Sequence, residues 1–330
     1  MESTAAPSIP NYGGQAVIEG VMMRSRRALA VAVRHPAGHT VVHVEPLRSA
    51  SQRSRWAQLP LIRGMVLLWD TLVLGMRALA FSANVAAAED LNDGAPVPTA
   101  PDDPAPKEPA ARPEESAAMP QGVLWGTMAF AFTMGIGLFF VLPLLLVRTV
   151  DPLIPWSLAS NLIEGLVRLA LLLGYIALIG LLADVRRVFA YHGAEHKAIN
   201  AFEAGVPLER EQVSRYGTVH PRCGTSFLLV VVVLSIAIFS LLGRPALPVR
   251  LASRVLLVPV IAGVSYEFLR FAATRRHRAA IRALMAPGLL LQRLTTREPD
   301  ASQVEVAIEA LRRLLTYEAD HPAAASPAPG

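Results

Sequence analysis

The stretch Val123–Val147, VLWGTMAFAFTMGIGLFFVLPLLLV, decides the fold class, because it is long, apolar and free of charged side chains. About 20 apolar residues are enough for a helix to cross the hydrocarbon core of a bilayer. Three further runs of this kind follow, at Leu158–Ala183, Phe227–Leu242 and Val249–Phe271. We therefore expect a mainly α, polytopic helical membrane protein with about four transmembrane helices, the first of them kinked at Pro143.

The composition of the 330 residues agrees with this class, since 53% are hydrophobic, 17% are charged and the mean hydropathy is +0.40. Soluble domains usually carry about 25% charged residues. The net charge is +5, but the arginines adjoin apolar runs. Anionic lipid headgroups explain that placement better than nucleic acid does, so we expect membrane lipids and no nucleic acid as partners. The single cysteine, Cys223, excludes an intrachain disulfide, and the opening residues lack a signal-peptide pattern.

Basic residues in the connections predict the orientation of the spans. Residues 184–226 and the segment after Phe271 are the two connections richest in lysine and arginine. The positive-inside rule places both in the cytosol. With four spans, both chain termini are then cytosolic as well.

Residues 13–60 are expected to form a small β unit. Ala28–His35 and Thr40–Glu45 are rich in valine and flank the turn residues Pro-Ala-Gly, which predicts a hairpin. Gln15–Met23 is a candidate third strand. Because so few strands rarely stand alone in water, we expect this unit to pack on the membrane domain, residues 122–272.

Residues 61–86 allow two interpretations. The segment is long and apolar, but Arg63, Asp70 and Arg77 recur at seven-residue spacing and so share one helical face. We favour an amphipathic helix at the membrane interface. The alternative is a membrane-embedded helix whose polar stripe faces the interior of the bundle.

The remaining segments lie outside the spans. Composition predicts disorder in the N-terminus, the Pro-rich acidic linker and the C-terminal tail, which are residues 1–12, 87–121 and 321–330. A cytosolic C-terminal helical segment is expected over residues 273–320. Its part 300–317 begins at a cap, Asp300 or Ser302, and has an apolar face made of Val304, Ile308, Leu311 and Leu315. That face suits docking on the protein's cytosolic side, and the helix is a candidate site for protein partners.

The connection 184–226 contains the residues best suited to chemistry. Its string YHGAEHK, residues 191–197, fits the H-x-x-E-H pattern of inverted zincins. On a helix, His192 and His196 lie one turn apart on one face and can bind one metal ion. Glu195 is then placed to orient or deprotonate a water molecule. Gly193 costs about 1 kcal/mol inside a helix and indicates close packing against another helix.

The string HPRCGT, residues 220–225, follows in the same connection. His220 and Cys223 offer the nitrogen and sulfur donors that zinc prefers, so the expected cofactor is Zn²⁺ or another divalent metal. The structural alternative needs no metal. Paired histidines can donate to backbone carbonyls, and Cys223 can serve as a small buried apolar residue.

Two further carboxylates are candidates. Glu267 lies near the cytosolic end of the last span, where an ionisable group needs a partner. It is either a further metal ligand or one half of a salt bridge with Arg270 or Arg186. Glu19 stands between glycines, and we favour an ordinary turn there over a functional role.

Several strings together resemble the YqhQ-like family of uncharacterised bacterial membrane proteins. They are GGQAVIEGVMMR (13–24), YHGAEHKAINAFEAG (191–205), HPRCGTSF (220–227), GVSYEFLRFA (263–272) and APGLLLQRLTTREPDASQVEVAIEAL (286–311). The resemblance covers most of the chain except the linker, which is longer than expected for the family, and the two tails. It implies the bacterial cytoplasmic (inner) membrane and a predicted metal-dependent enzyme of unestablished activity.

The leading hypothesis is therefore a metal-dependent hydrolase at the cytosolic membrane face. Glu195 is the expected catalytic base, and the expected metal ligands are His192, His196, His220, Cys223 and Glu267. The alternative is a non-catalytic membrane scaffold or assembly factor. A transporter ranks lowest, because the predicted spans show few interior charges and no repeated half with broken helices.

Overall fold

The computed structural model describes residues 12–47, 59–87, 121–275 and 278–322. Within these ranges the chain is mainly helical and begins with a four-stranded antiparallel sheet in the order β1-β2-β3-β4. The strands are β1 Gly13–Val17, β2 Gly20–Arg24, β3 Ala28–Arg34 and β4 Thr40–Pro46. The predicted hairpin over residues 28–45 is confirmed as β3 and β4.

The single strand predicted at Gln15–Met23 is wrong, because the chain reverses within it. Val17 pairs with Gly20 across a two-residue turn made of Ile18 and Glu19. Glu19 has a positive φ of 52°, which a type II turn requires at its third residue and which non-glycine residues rarely adopt. The prediction that Glu19 lies in a turn is confirmed.

The helices follow the sheet along the chain and are numbered here in order. They are α1 Ile62–Ala87, α2 Gln121–Ile136, α3 Leu142–Val150, α4 Ser157–Ile179, α5 Ala183–Glu203, α6 Arg210–Val213, α7 Thr225–Leu241, α8 Leu247–Leu256, α9 Val258–Thr274, α10 Ala279–Thr295 and α11 Ala301–Asp320. A π-helical turn, Gly137–Val141, joins α2 to α3. The connection 184–226 is thus largely helical, because α5 occupies its first half.

Helices cover the sheet on both faces, and of these helices α5 lies within residues 122–272, on which the β unit is expected to pack. Strand alternation sends Val21 and Met23 to one face, where they join the core with α5 and α11. Met22 and Val31 point to the other face and pack with Ala78 and its neighbours on α1. The β unit therefore has no independent core.

The two halves of helix α1 pack against different parts of the protein. Its first turns lie against α9, where Gly64 leaves room for Tyr266. Its second half covers the sheet through Leu74, Ala78 and Phe81. By length and hydropathy α1 is one of the helices that could cross a membrane, so the interfacial and the membrane-embedded interpretations both stay predictions.

Three helical stretches have the length and hydropathy of a membrane span: Ile62–Ala86, Ala129–Leu153 and Ser157–Ile179. A fourth is possible if α8 and α9, which meet at a bend of 44°, count as one broken span. The shorter α7 is also apolar. The distortion in the first predicted span lies at the π-helical turn just before Pro143, a residue that has no N–H to continue an α-helical ladder.

Helix α11 confirms the predicted C-terminal helix. Asp300 caps it within a capping box: its side chain accepts from the Gln303 N–H at 2.9 Å, and Gln303 accepts from the Asp300 N–H at 3.0 Å. The apolar face is buried against the sheet and α5, and Leu311 and Leu314 are fully enclosed. The predicted disorder of residues 1–12, 87–121 and 321–330 lies, apart from residues 12, 87, 121, 321 and 322, outside the described residues.

Removing the cap should loosen α11. We expect Asp300→Ala to lower the free energy of unfolding by about 1 kcal/mol, because the Gln303 N–H loses its side-chain acceptor. Asp320→Ala, at the exposed end of the same helix, should have little effect. Thermal melting of the purified variants in detergent, followed by circular dichroism, measures both. Equal melting temperatures for the two variants would contradict the prediction.

Candidate metal centre

Helix α5 presents its histidines as one ligand pair. His192 and His196 are one turn apart, and their ring centroids are 4.4 Å from each other. His196 is buried and His192 is partly exposed. The helical spacing in YHGAEHK therefore converges on one point, as the sequence predicts.

Backbone carbonyls set the orientation of both rings. Nδ1 of His192 lies 2.8 Å from the Thr295 carbonyl oxygen, and Nδ1 of His196 lies 2.6 Å from that of Thr218. Because a carbonyl only accepts, each Nδ1 carries a proton and donates it, which leaves the Nε2 lone pair free. This is the arrangement that metal-ligating histidines adopt.

Cys223 supplies the third donor, from the turn just before α7. Its Sγ lies 3.3 Å from Nε2 of His192, and the donor atoms of Cys223, His192 and His196 all lie within 4.8 Å of one another. Nε2 of His196 is buried without a hydrogen-bond partner. A buried lone pair facing a second nitrogen and a sulfur fits a soft divalent cation, so the residues fit zinc.

The protonation states of these groups depend on burial. Burial raises the pKa of the Cys223 thiol to about 11 and, with His192 nearby, lowers the pKa of His196 to about 3. The pKa of His192 is also lowered by burial. At neutral pH the cluster alone therefore holds two neutral imidazoles and a thiol, and a bound cation would displace the thiol proton.

Glu195 stands beside the ligand pair and points into the protein. One carboxylate oxygen lies 4.0 Å from Nε2 of His192 and 4.0 Å from Nε2 of His196. Burial raises the pKa of Glu195 to about 8, partly offset by a hydrogen bond from the Gly14 N–H. A carboxyl group with this pKa is mostly protonated at neutral pH, and a cation bound beside it would lower the pKa and favour the carboxylate that a general base requires.

Two glycines make room for this geometry. A Cβ on Gly14 of β1 would lie 2.9 Å from Cγ of Glu195, so the strand reaches the carboxylate only through glycine. A Cβ on Gly193 would lie 2.1 Å from the carbonyl oxygen of Arg297. The expectation that Gly193 packs against a helix is wrong, because Arg297 belongs to the extended segment between α10 and α11.

His220 lies next to the cluster without joining it. Its ring centroid is 5.8 Å from that of His196, and its Nε2 has no hydrogen-bond partner, with Glu203 3.6 Å away. Gln292 of α10 holds its backbone: Oε1 accepts from the His220 N–H at 2.9 Å, and Nε2 donates to the His220 carbonyl at 3.0 Å.

Glu267 is not brought to the His/Cys cluster, so its prediction as a ligand is not met. Its carboxylate pairs with both Nε and Nη2 of Arg63 on α1. The salt-bridge alternative was closer, although it named Arg270 or Arg186 and not Arg63. Glu267 thus joins α9 to the start of α1, and its partner on α1 could not be identified from sequence spacing.

Glu19 has a positioning role at the edge of the site. It accepts hydrogen bonds from the Arg187 guanidinium and, at 3.3 Å, from the Tyr191 hydroxyl. Arg187 and Tyr191 precede His192 on α5. The turn between β1 and β2 is thereby fixed against the helix that carries the ligand pair.

Sequence reasoning missed the residues that orient the ligands. The carbonyls of Thr218 and Thr295 leave no side-chain signal, because any residue supplies a carbonyl. Gln292 did leave one, since it is a polar residue within the apolar run LLLQRL and is fully buried. A buried amide needs partners on both its oxygen and its nitrogen, and His220 supplies both.

Fold and site together define a class: mainly helical proteins with three or four helices apolar enough to span a membrane, a small N-terminal sheet, and a cluster of two histidines on the helix beside the sheet and one cysteine from the turn before α7. The chain belongs to the family described as "Protein of unknown function (DUF1385)", which matches residues 59–317. It is 33% identical over 315 residues to the "Uncharacterized protein YqhQ" of Bacillus subtilis (strain 168), covering 94% of each chain. No solved structure matches it.

Gly193 offers a test of the close approach at the cluster. We expect Gly193→Ala to displace the Arg297 backbone and so to weaken the hydrogen bond between Nδ1 of His192 and the Thr295 carbonyl. Because that bond orients the imidazole, zinc affinity should fall by about tenfold or more. Gly174→Ala on α4, where a Cβ meets no atom within 4 Å, is the matched control and should keep zinc affinity unchanged. Competition with a chromogenic chelator gives both affinities. Unchanged affinity in a folded Gly193→Ala protein would contradict the close approach.

Proposed function

We propose that this protein is a metal-dependent hydrolase that acts at the cytosolic face of the bacterial cytoplasmic membrane. The observation that carries the proposal is the pair of Nε2 lone pairs on His192 and His196, held toward Cys223 by backbone carbonyls. Three protein donors leave one position of a tetrahedral zinc site open, and catalytic zinc sites share that feature.

The residues then take distinct roles. His192, His196 and Cys223 hold the cation, and the Thr218 and Thr295 carbonyls keep the imidazoles in the binding tautomer. A zinc ion in such a site acts as a Lewis acid and makes water a stronger acid. Glu195, within 4.0 Å of both Nε2 atoms, accepts the proton from the attacking water.

Membrane insertion is part of the proposal. The apolar helices α2–α3, α4, α7 and α8–α9 serve as four spans, with α1 at the interface. The connections richest in arginine and lysine then face the cytosol, together with the sheet, α5 and α11. Membrane lipids surround the bundle as its constant partners.

The metal hypothesis predicts bound zinc in the purified protein. We expect about one zinc per chain by elemental mass spectrometry after purification without chelators. His192→Ala/His196→Ala should lose it. The control variant His35→Ala/His39→Ala removes the stacked histidine pair of the β3–β4 turn and should keep it. Absence of metal in the wild type, even after reloading, would reject the metalloenzyme.

If Glu195 is the general base, its substitution should lower the rate of hydrolysis without releasing the zinc. We expect Glu195→Gln to keep the zinc, since glutamine preserves the shape beside Gly14, and to lose hydrolysis by about 100-fold or more. Activity is measured on a panel of ester, phosphoester and peptide substrates in detergent and in liposomes. Wild-type turnover by a zinc-loaded Glu195→Gln protein would remove the general base from the proposal.

A structural zinc site is the second candidate, because His220 has a buried, unpartnered Nε2 near the cluster. With His220 as a fourth ligand the shell would be closed, and the protein would be a scaffold whose metal joins α5 to the 218–226 segment. Zinc content of His220→Ala distinguishes the two. An open catalytic site keeps its zinc without His220, whereas a closed structural site loses it.

The proposed orientation predicts which positions an impermeant maleimide can reach. In a Cys223→Ala background, we expect Leu153→Cys, an exposed position between α3 and α4, to be labelled in intact spheroplasts. Ala37→Cys, in the exposed β3–β4 turn, should be labelled only after permeabilisation. Labelling of both positions in sealed spheroplasts would contradict the four-span arrangement.

A further inference from the structure

A second polar centre lies inside the helical bundle, at the end opposite the His/Cys cluster. It contains three arginines and two carboxylates from the turn after α3 and from α4 and α8: Asp151, Glu164, Arg168, Arg250 and Arg254. About 22 Å of helix lies between Glu164 and the end of α4. Helix α5, which carries the two histidines of the cluster, begins beyond that end. The expectation of few interior charges in the spans is therefore wrong.

Glu164 is saturated with hydrogen bonds. It accepts from Nη2 of Arg168 at 2.8 Å, from Nε and Nη2 of Arg254 at 2.7 and 2.9 Å, and from Nη2 of Arg250 at 2.9 Å. One carboxylate thus receives four charge-assisted hydrogen bonds. It has no capacity left for another donor.

Arg168 is satisfied within the protein. Its Nε donates to the Phe139 carbonyl at 2.8 Å, and its Nη1 donates to the Ser235 hydroxyl at 3.0 Å. Phe139 lies four residues before Pro143, so that carbonyl loses its usual helical N–H donor. Arg168 therefore supplies a hydrogen-bond donor to this carbonyl, and its role is structural.

Arg250 and Arg254 are not satisfied. Both are at least nine-tenths buried, yet Nε of Arg250 and Nη1 of Arg254 have no hydrogen-bond partner. The Arg254 guanidinium lies over the Phe239 ring, 4.0 Å from its centroid, which contributes no acceptor for Nη1 in the plane of the guanidinium. The second carboxylate, Asp151, accepts from Nη1 of Arg250 at 2.8 Å and from the Ser160 hydroxyl. Three guanidinium groups facing two carboxylates leave one positive charge uncompensated, which is costly among apolar helices.

Arg244 lies at the partly exposed edge of this centre. Arg244, after α7, has 25% of its side chain exposed and lies 4.0 Å from Asp151, and its Nε has no hydrogen-bond partner. Its Nη2 donates to the Trp156 carbonyl, which holds the guanidinium at the mouth. Arg244, Arg250 and Arg254 together present three unused N–H donors and excess positive charge.

We propose that this arginine centre binds an oxyanion of the phosphate class, held by Arg250 and Arg254 with Arg244 at the entrance. Guanidinium groups match the tetrahedral oxygens of phosphate in geometry and charge. The bound anion would compensate the excess charge and supply acceptors for the unused donors. The phosphate group comes either from a phospholipid headgroup of the non-cytosolic leaflet or from free phosphate.

Thermal melting of the delipidated full-length protein in neutral detergent tests this directly. One arm adds sodium phosphate against sodium chloride of equal ionic strength. The other adds phosphatidylglycerol against a phosphate-free glucosyl-diacylglycerol. We expect a saturable rise in melting temperature of about 5 °C at a hundredfold excess over the dissociation constant. A rise with the phospholipid alone identifies a headgroup, and a rise with phosphate as well identifies a free oxyanion.

Two arginine variants make the test specific. For the ligand that stabilises the wild type, Arg244→Gln should lower the binding affinity by about tenfold, because one charged donor is lost at the entrance. Arg148→Gln removes an exposed arginine at the same end of the bundle and should bind as the wild type does. The proposal is overturned if neither ligand stabilises the wild type, or if the two variants bind equally well.

Discussion

Two hydrogen bonds from imidazole to backbone carbonyl organise the site, and most of the neighbouring structure is arranged to make them. The Thr218 carbonyl holds His196, and the Thr295 carbonyl holds His192. Both acceptors come from segments distant in sequence from α5, so each bond also joins chain segments. Because an unpaired buried N–H is costly, the bonds fix the tautomer and direct both Nε2 atoms toward Cys223.

Close packing around α5 follows from the same requirement. The 295–297 segment can reach His192 only where Gly193 lacks a side chain, and β1 can reach Glu195 only at Gly14. The sheet, which is too small to fold alone, is stabilised by α5 and α11 on one face and by α1 on the other. The N-terminal sheet and the C-terminal helix thus belong to the site as much as the ligands do.

The arginine centre at the other end of the bundle follows the opposite principle. At the His/Cys cluster the buried groups are neutral and leave lone pairs for a cation, whereas the arginine centre leaves N–H donors and positive charge for an anion. Both sites bury polar groups for which the described part of the protein supplies no hydrogen-bond partner. Natural interiors rarely tolerate such groups without a function or a ligand.

The sequence alone determined the mainly helical fold, the apolar helices, the β3–β4 hairpin and the candidate ligands on α5, because hydrophobic runs, strand patterns and helical spacing are local properties. Only the tertiary structure decided that Cys223 joins the histidines, that His220 stands aside and that Glu267 pairs with Arg63. It also decided the Arg250 and Arg254 centre. These outcomes depend on contacts between residues far apart in the chain, which no local pattern encodes.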